Sequence, residues 1–420
     1  MDYFEKPKHV LPRIIIHGGA GNITRQNLPP PAYQTFRKAL LAVLDEAHKL
    51  LTQPGATAID VATHAVTLLE NNALFNAGHG AVFTREETHE LEASVMVSKN
   101  SRKRGVGVMR ITKAKNPILL AKEMLLRGEA DDGGGAGPHC QIAGETCDKL
   151  VSEWGLETVT PEYYWTRKRW DEHRRGLNEP CDDETYAKHK RAVGRTTVVS
   201  NNDEETLHDP SWDGQEYLPQ GTVGCVVLDD SGTICAATST GGITNKLPGR
   251  IGDTPTIGAG FWAEQWQSSV TEESLPSNAG GDLLSMFADC LPNLGHYTPI
   301  PTATRSIPRA VGMSGTGNGD SFLRINAVRT AAAMVRFSSG SGVVSLQNTV
   351  TAVAGPHGTL QQSADDRWHK TGEGEGGIIG IELRDGVGHI VADFNCGGMF
   401  RTWVDGQGRG RMAVFREEQP

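Results

Sequence analysis

Gly221-Thr222-Val223-Gly224-Cys225-Val226-Val227-Leu228 runs into Asp229-Asp230-Ser231-Gly232 and returns through Thr233 to Thr240. Two β-forming runs around a turn-forming cluster predict a hairpin. Antiparallel partners lie equidistant from the turn, so a turn centred on Ser231 sets Thr222 opposite Thr240. Cross-strand neighbours stand about 5 Å apart at Cβ, which brings two hydroxyls together at the open end of the hairpin. The first strand is apolar on both faces, with Val223, Cys225 and Val227 on one and Gly224, Val226 and Leu228 on the other. A strand of that kind is covered from both sides, as in a layered sandwich. From the hairpin alone the favoured reading is two β-forming threonines that merely end their strands.

The chain around it is globular. It has 420 residues, 38% hydrophobic and 22% charged, which excludes a disordered or fibrous protein. Glycine is abundant, 50 residues without a period, so the excess belongs to tight turns and close backbone approaches. A net charge of -9 argues against a nucleic-acid or anionic-membrane partner. No apolar run reaches the length of a bilayer span. The opening MDYFEKPKHVLPRIII lacks the order of a secretory signal. Cysteines at 140, 147, 181, 225, 235, 290 and 396 are odd in number, scattered and without a CxxC pair. They form neither a disulfide framework nor a zinc site, so the expected setting is reduced and cytoplasmic.

Working toward the N-terminus, Arg13 to His17 reads as a strand ending in His17-Gly18-Gly19-Ala20-Gly21. Helical spacing of Phe36, Leu40, Val43, Leu44, Ala47 and Leu51 predicts a helix over 31–52, and 57–70 predicts a second. Asn116-Pro117 opens a third, closed by Gly128, with strands at 91–97 and 105–109 between. Residues 165–220 are rich in charge and poor in aliphatic residues. They read as a solvated helix over 165–175 and a mobile polar linker over 176–220. A second polar loop is expected near 264–307, then a helix over 320–337 and two last strands at 377–383 and 388–394.

Leu247-Pro248-Gly249-Arg250-Ile251-Gly252-Asp253 places a guanidinium and a carboxylate on a glycine-rich loop just past Thr240. They could clamp a zwitterion, with Arg250 on an α-carboxylate and Asp253 on an α-ammonium, but taken alone the motif reads as a surface ion pair. Gly315-Thr316-Gly317-Asn318-Gly319-Asp320 precedes a helix and offers free N–H groups to an anion or oxyanion. Gly372-Glu373-Gly374-Glu375-Gly376-Gly377 fits the dinucleotide spacing formally, but a strand follows it where a helix is required. The His17 to Gly21 loop suggests an esterase oxyanion loop, yet no serine has the G-x-S-x-G setting that fold needs.

Leu74-Phe75-Asn76-Ala77-Gly78-His79-Gly80-Ala81-Val82-Phe83-Thr84, Gly221-Thr222-Val223-Gly224, and the run Thr238 to Asp253 together resemble the plant-type asparaginases. These isoaspartyl aminopeptidases are N-terminal nucleophile (Ntn) hydrolases. The match covers roughly 13–175, 221–263 and 311–403. The resemblance implies an α+β fold, a four-layer αββα sandwich of the Ntn-hydrolase kind. It implies a precursor that cuts itself before Thr222 into an α subunit, 1–221, and a β subunit, 222–420, and two αβ protomers assembling as a dimer. Such an enzyme hydrolyses L-asparagine and isoaspartyl dipeptides and needs no cofactor for its chemistry. A threonine hydroxyl is a weak nucleophile, and the base would be the α-amine freed by the cut, which titrates near 8.

Carried over position by position, Thr222 is the nucleophile, Thr240 its hydroxyl partner, and Arg250 with Asp253 the substrate clamp. Thr316 and the Gly317 amide form the oxyanion hole, and Asn76 orients the nucleophile region. Gly221, with His17, Gly18, Gly19 and Gly21, serves self-cleavage. A structural sodium is implied on the backbone carbonyls of Leu69, Glu70, Asn72, Phe75, Ala77 and His79. The sequence departs from the family at Glu92, where Asp is usual, at Val97-Ser98 in place of Asp-Gly, and at Asp320, where Glu is common. The insertion over 264–310 is longer than usual and borders the site. A glycosylasparaginase-like amidase and an unprocessed, non-catalytic binding protein are the alternative readings.

Overall fold

In a computed structural model, the structure describes residues 10–99, 103–130, 133–194, 221–271, 304–338 and 344–417. The strands are β1 (Arg13–Gly21), β2 (Leu91–Val97), β3 (Arg104–Ile111), β4 (Gln141–Ala143), β5 (Val223–Leu228), β6 (Ile234–Thr240), β7 (Phe261–Thr271), β8 (Thr304–Gly317), β9 (Gly376–Arg384), β10 (Val387–Phe394), β11 (Gly398–Val404) and β12 (Gly410–Ala413). The helices are α1 (Pro30–Leu51), α2 (Ala58–Glu70), α3 (Pro117–Arg127), α4 (Glu145–Glu153), α5 (Arg167–Gly176), α6 (Asp183–Gly194), α7 (Gly319–Ile325), α8 (Ala327–Phe337), α9 (Leu346–Ala354) and α10 (Thr359–Gln362).

One sheet runs β12-β11-β1-β5-β6-β2-β3-β4 and the other β10-β9-β8-β7. The expected hairpin is β5–β6, and Val223 pairs with Ser239 and Gly224 with Thr238, the register set by Ser231. Every residue of β5 is buried. Its Val223, Cys225 and Val227 join the core under α1, α2 and α3, while Val226 and Leu228 pack with Ala310, Ile379 and Ile381 of the second sheet. Each such side chain stabilises the fold by about 1.5–3 kcal/mol on burial. The opposite face of the second sheet meets α8 and α9 through Phe261, Val328, Ala331, Val335 and Val350.

Local chemistry explains the helix limits. All six apolar residues spaced along the first predicted helix are buried in α1. Thr57 caps α2 by accepting from the Asp60 amide, and Pro117 opens α3 where a missing N–H costs nothing. Four expectations need correcting. The helix expected over 320–337 is two, α7 and α8, broken at Asn326 in the left-handed region with φ 49. The strands at 377–383 and 388–394 are not the last, because β11 and β12 follow and β11 pairs with β1. The second polar loop is strand at both flanks, since β7 and β8 pair from Phe261↔Ser314 out to Thr271↔Thr304. Its residues 272–303 lie outside the described ones.

The fourth correction concerns 165–194. The helix over 165–175 is present as α5, but it is buried rather than solvated, with Lys168, Arg169, Trp170, Asp171, Glu172 and His173 all inside. Trp165 and Trp170 stack 4.8 Å apart and enclose Phe83 with Tyr186. The charges are internally matched: Arg169 donates to the Gly80 carbonyl at 2.7 Å and to Glu172 at 2.9 Å, and Arg167 to Asp171 at 2.9 Å. The stretch expected as a mobile linker carries α6, and 195–220 lies outside the described residues.

Gly312 shows how closely the sheets approach, because a Cβ there would collide with Ile234 and stand 3.2 Å from Val226 Cγ1. Gly312→Ala is therefore expected to cost about 1–3 kcal/mol, seen as a lower urea midpoint at unchanged slope.

Candidate active site

Thr222 stands one residue before β5 and Thr240 ends β6, so the hairpin register holds both at one end of the sheet. Both are buried. Their hydroxyls bond elsewhere than to each other: Thr222 Oγ1 lies 3.3 Å from Thr254 Oγ1, and Thr240 Oγ1 accepts from the Gly242 amide at 3.0 Å. Asn76 staples the loop that follows. Its Nδ2 donates to the Gly242 carbonyl at 2.7 Å, its Oδ1 accepts from Val82, and its own carbonyl accepts from Gly241.

β1 supplies the opposite wall. It bulges between His17 and Gly19, and Gly19, at φ 120, lies directly on the Gly221 backbone. A Cβ on either residue would strike the main chain of the other, so this approach requires both glycines. A Gly18 Cβ would press on the Phe75 ring. Gly21 pairs with Gly398 of β11 at the end of the strand. His17 is fully buried beneath this contact, and its Nε2 hydrogen-bonds Ser314 Oγ at 2.7 Å, which in turn meets Thr238 Oγ1 at 3.0 Å. Burial, partly offset by the Thr222 backbone, pushes the imidazole down to about 3, so it is neutral at ordinary pH. Gly224 has no side chain because a Cβ there would strike both His17 and Ser314.

Thr316 and Gly317 end β8. Thr316 Oγ1 accepts from the Ala20 amide at 3.2 Å, which leaves the hydroxyl proton free to donate elsewhere. Gly317 has φ 148 and packs against the Glu375 and Gly376 backbone.

Arg250 and Asp253 meet over Gly319, where a Cβ would press on Asp253 Oδ1 and Arg250 Nη2. Arg250 Nη2 donates to Asp320 at 3.0 Å, but its buried Nε has no partner. Asp253 is buried, and its Oδ2 is likewise without one. Burial outweighs the nearby guanidinium and pushes the Asp253 carboxyl up to about 7, with the Glu92 and Asp320 charges adding to the rise. Glu92 is buried behind them. Its Oε1 accepts from the Gly252 amide at 3.0 Å and faces Lys246 Nζ at 4.0 Å. Burial raises the Glu92 carboxyl too, against the pull of Lys246.

The loop from Leu69 to His79 ends α2 and passes through a short 3-10 turn at Gly78–Gly80. The Glu70 carbonyl crowds Gly78, and those of Phe75 and Ala73 crowd Gly80, so only glycines fit. The carbonyls of Leu69, Asn72 and Ala77 accept from Asn72, Phe75 and Gly80, and His79 Nδ1 bonds the Tyr163 carbonyl at 2.5 Å. The Glu70 carboxyl accepts from Ser239 Oγ at 2.7 Å and the Ile118 amide at 3.0 Å. Burial raises it to about 8. Among the described residues no group of three His, Cys, Asp or Glu gathers as a metal site.

A family model described as asparaginase matches residues 10–271. The chain is 31% identical to the isoaspartyl peptidase of Escherichia coli over 405 residues, 96% of each protein. This chain belongs to the asparaginase family. Over shorter spans it is 32% identical to a plant-type L-asparaginase of Pyrococcus furiosus (60% of this chain, 70% of that one). It is 30% identical to the isoaspartyl peptidase/L-asparaginase of Mus musculus (61% and 65%).

Within this asparaginase-family chain the sequence reading overlooked Thr254, Ser314 and Lys246. Thr254 follows Asp253 directly, and Ser314 lies two residues before Thr316 on the same face of β8, so both had a positional signal. Lys246 had none, because nothing local marks its burial against the Glu90 carbonyl, 2.6 Å away.

The raised Asp253 carboxyl has a stability consequence. The folded state holds this proton more tightly than the unfolded chain, so its contribution is complete below about pH 4 and is lost as pH rises to about 7. Asp253→Asn, which stays neutral, should match the wild type near pH 4 and exceed it by about 1–3 kcal/mol above pH 7, measured by urea unfolding at both pH values.

Proposed function

We propose that the chain is a threonine amidohydrolase, made as an inactive precursor and activated by breaking its Gly221–Thr222 bond. The mature enzyme hydrolyses L-asparagine to L-aspartate and ammonia and cleaves isoaspartyl dipeptides. The observation that carries this reading is that Arg250 Nη2 and Asp253 Oδ1 meet over Gly319, each side chain with a further buried atom left without a partner, next to the Thr254 that touches the Thr222 hydroxyl. A free aspartyl head group completes both, with its carboxylate on Arg250 and its ammonium on Asp253. The names of the bacterial, archaeal and mouse relatives favour the same two substrate types.

Bound so, the substrate presents its side-chain carbonyl to Thr222. The freed α-amine takes the hydroxyl proton as Oγ1 bonds to the carbonyl carbon, and the oxyanion is met by the Thr316 hydroxyl and the Gly317 amide. The C–N bond then breaks, and ammonia or an amine leaves with that proton. Water hydrolyses the acyl ester, which releases aspartate and restores Thr222. His17, neutral and bonded to Ser314, shapes this floor and moves no proton in turnover.

The helices on α1–α3 and on α8–α9, with two facing sheets between, support a four-layer αββα sandwich of the Ntn-hydrolase kind. The α subunit would be 1–221 and the β subunit 222–420, assembling as a pair of αβ protomers. The Leu69–His79 loop would hold a structural sodium, since crowded backbone carbonyls suit a hard cation. It would tie α2 in place and take no part in a chemical step. The described cysteines are all free, which fits a reduced, cytoplasmic setting.

Intact mass tests the central claim. Wild type should separate into pieces of 221 and 199 residues, whereas Thr222→Ala should stay whole at 45.2 kDa. A wild type that stays whole, with no activity on asparagine or isoaspartyl dipeptides, refutes it. In the mature enzyme, inhibition by L-aspartate should weaken about tenfold per unit as pH drops below about 7, because a protonated Asp253 no longer pairs with an ammonium.

A further inference from the structure

We infer that Thr254 is the positioning residue for self-cleavage, the hydroxyl that sets the Thr222 side chain before any α-amine exists. The inference rests on the reading that the chain cuts itself before Thr222. In the uncut chain the nitrogen of Thr222 is an amide, which is not a base, so the first step must be prepared by neighbouring groups. Among the described residues, the hydrogen bond of the Thr222 hydroxyl is to Thr254, at 3.3 Å, with both residues buried. Thr240, its expected partner, accepts instead from the Gly242 amide.

Thr254 is also held where it can do this. Pro255 follows it, which narrows the backbone choices of Thr254 and disfavours helical backbone there. The turn is pinned at both ends. The Asp253 carbonyl accepts from the Thr256 and Gly260 amides, and the Pro255 carbonyl accepts from Gln141 Nε2 at 2.8 Å and presses on Gly107. A hydroxyl on so rigid a turn selects one rotamer of the threonine it touches. On the far side, Gly19 holds the Gly221 backbone, so the two reacting groups are fixed from opposite walls.

The step balances without any added reagent except water. Thr222 Oγ1 bonds to the Gly221 carbonyl carbon, the C–N bond breaks, and the hydroxyl proton ends on the departing nitrogen. Water then hydrolyses the Gly221 ester, leaving a carboxylic acid on Gly221 and a free amine on Thr222. Thr254 can accept the bond from Oγ1 and pass its own proton on, but its hydroxyl is too weak a base to keep the proton.

The test follows the first-order conversion of freshly purified precursor by intact mass. Thr254→Val keeps the shape and removes the hydroxyl, and it should self-cleave at least about tenfold more slowly than wild type. Thr254→Ser keeps the hydroxyl and should restore the rate to within about threefold. Melting temperature and near-UV circular dichroism are compared for each, so that a folding defect is recognised. If the valine variant does not fold, Thr254→Ala reads the same step. A hydroxyl-free variant that folds and cleaves at the wild-type rate, or a serine variant as slow as valine, overturns the inference. If wild type itself never cleaves, the proposed function fails with it. If wild type cleaves and the hydroxyl-free variant keeps pace, only this inference falls.

Discussion

The close backbone contact between Gly19 and Gly221 organises the site. It brings the end of β1 onto the residue that precedes Thr222, and it does so because neither residue has a Cβ. The same bulged strand carries His17, whose bond to Ser314 reaches the second sheet. It also carries Ala20, whose amide reaches Thr316. One strand thus aligns the bond before Thr222, the neutral histidine beneath it and the Thr316 hydroxyl proposed to meet an oxyanion. The β5–β6 hairpin needs only to arrive in register beside it.

Around Arg250 and Asp253 the structure accepts an electrostatic cost. Asp253 and Glu92 are buried with part of each carboxylate unpartnered, and burial raises both above the usual carboxylate range. Lys246, also buried, is drawn down for the same reason. Such groups destabilise an empty fold and become useful when a ligand of opposite charge completes them. Arg250 shows the same incompleteness at Nε while Asp320 holds its outer edge.

The sequence made the β5–β6 hairpin legible because its register is arithmetic, and two-sided burial followed from two apolar faces. Helices α1 to α3 were legible from apolar spacing and, at the start of α3, from Pro117, whereas the Asn116 side chain makes no capping bond there. Failures came where long-range pairing decides. Charges in α5 look solvated until Arg169 is seen to bond Gly80 and Glu172. The aromatic signal was there in Trp165 and Trp170, but charge outweighed it. The strand character of 264–271 and 304–310 comes from each flank pairing with the other, which no local pattern shows. The break at Asn326 was hidden inside an otherwise continuous helical pattern. The Thr222–Thr254 contact is a tertiary meeting of a strand end and a turn, invisible to spacing alone.

The strand order has one more consequence. β1 lies between β11 and β5, and β2 lies against β6, so strands from before and after Gly221 alternate within one sheet. α5 adds to this, since His173 and Asn245 exchange bonds across the same divide at 2.5 and 3.0 Å. Breaking the chain between Gly221 and Thr222 would therefore separate nothing. The two pieces would be woven rather than joined: the second holds the whole four-stranded sheet, but the eight-stranded sheet takes strands from both. A cut of this kind is a change of chain ends inside a finished fabric, which lets a new amine appear deep in the molecule without a terminus ever being threaded there.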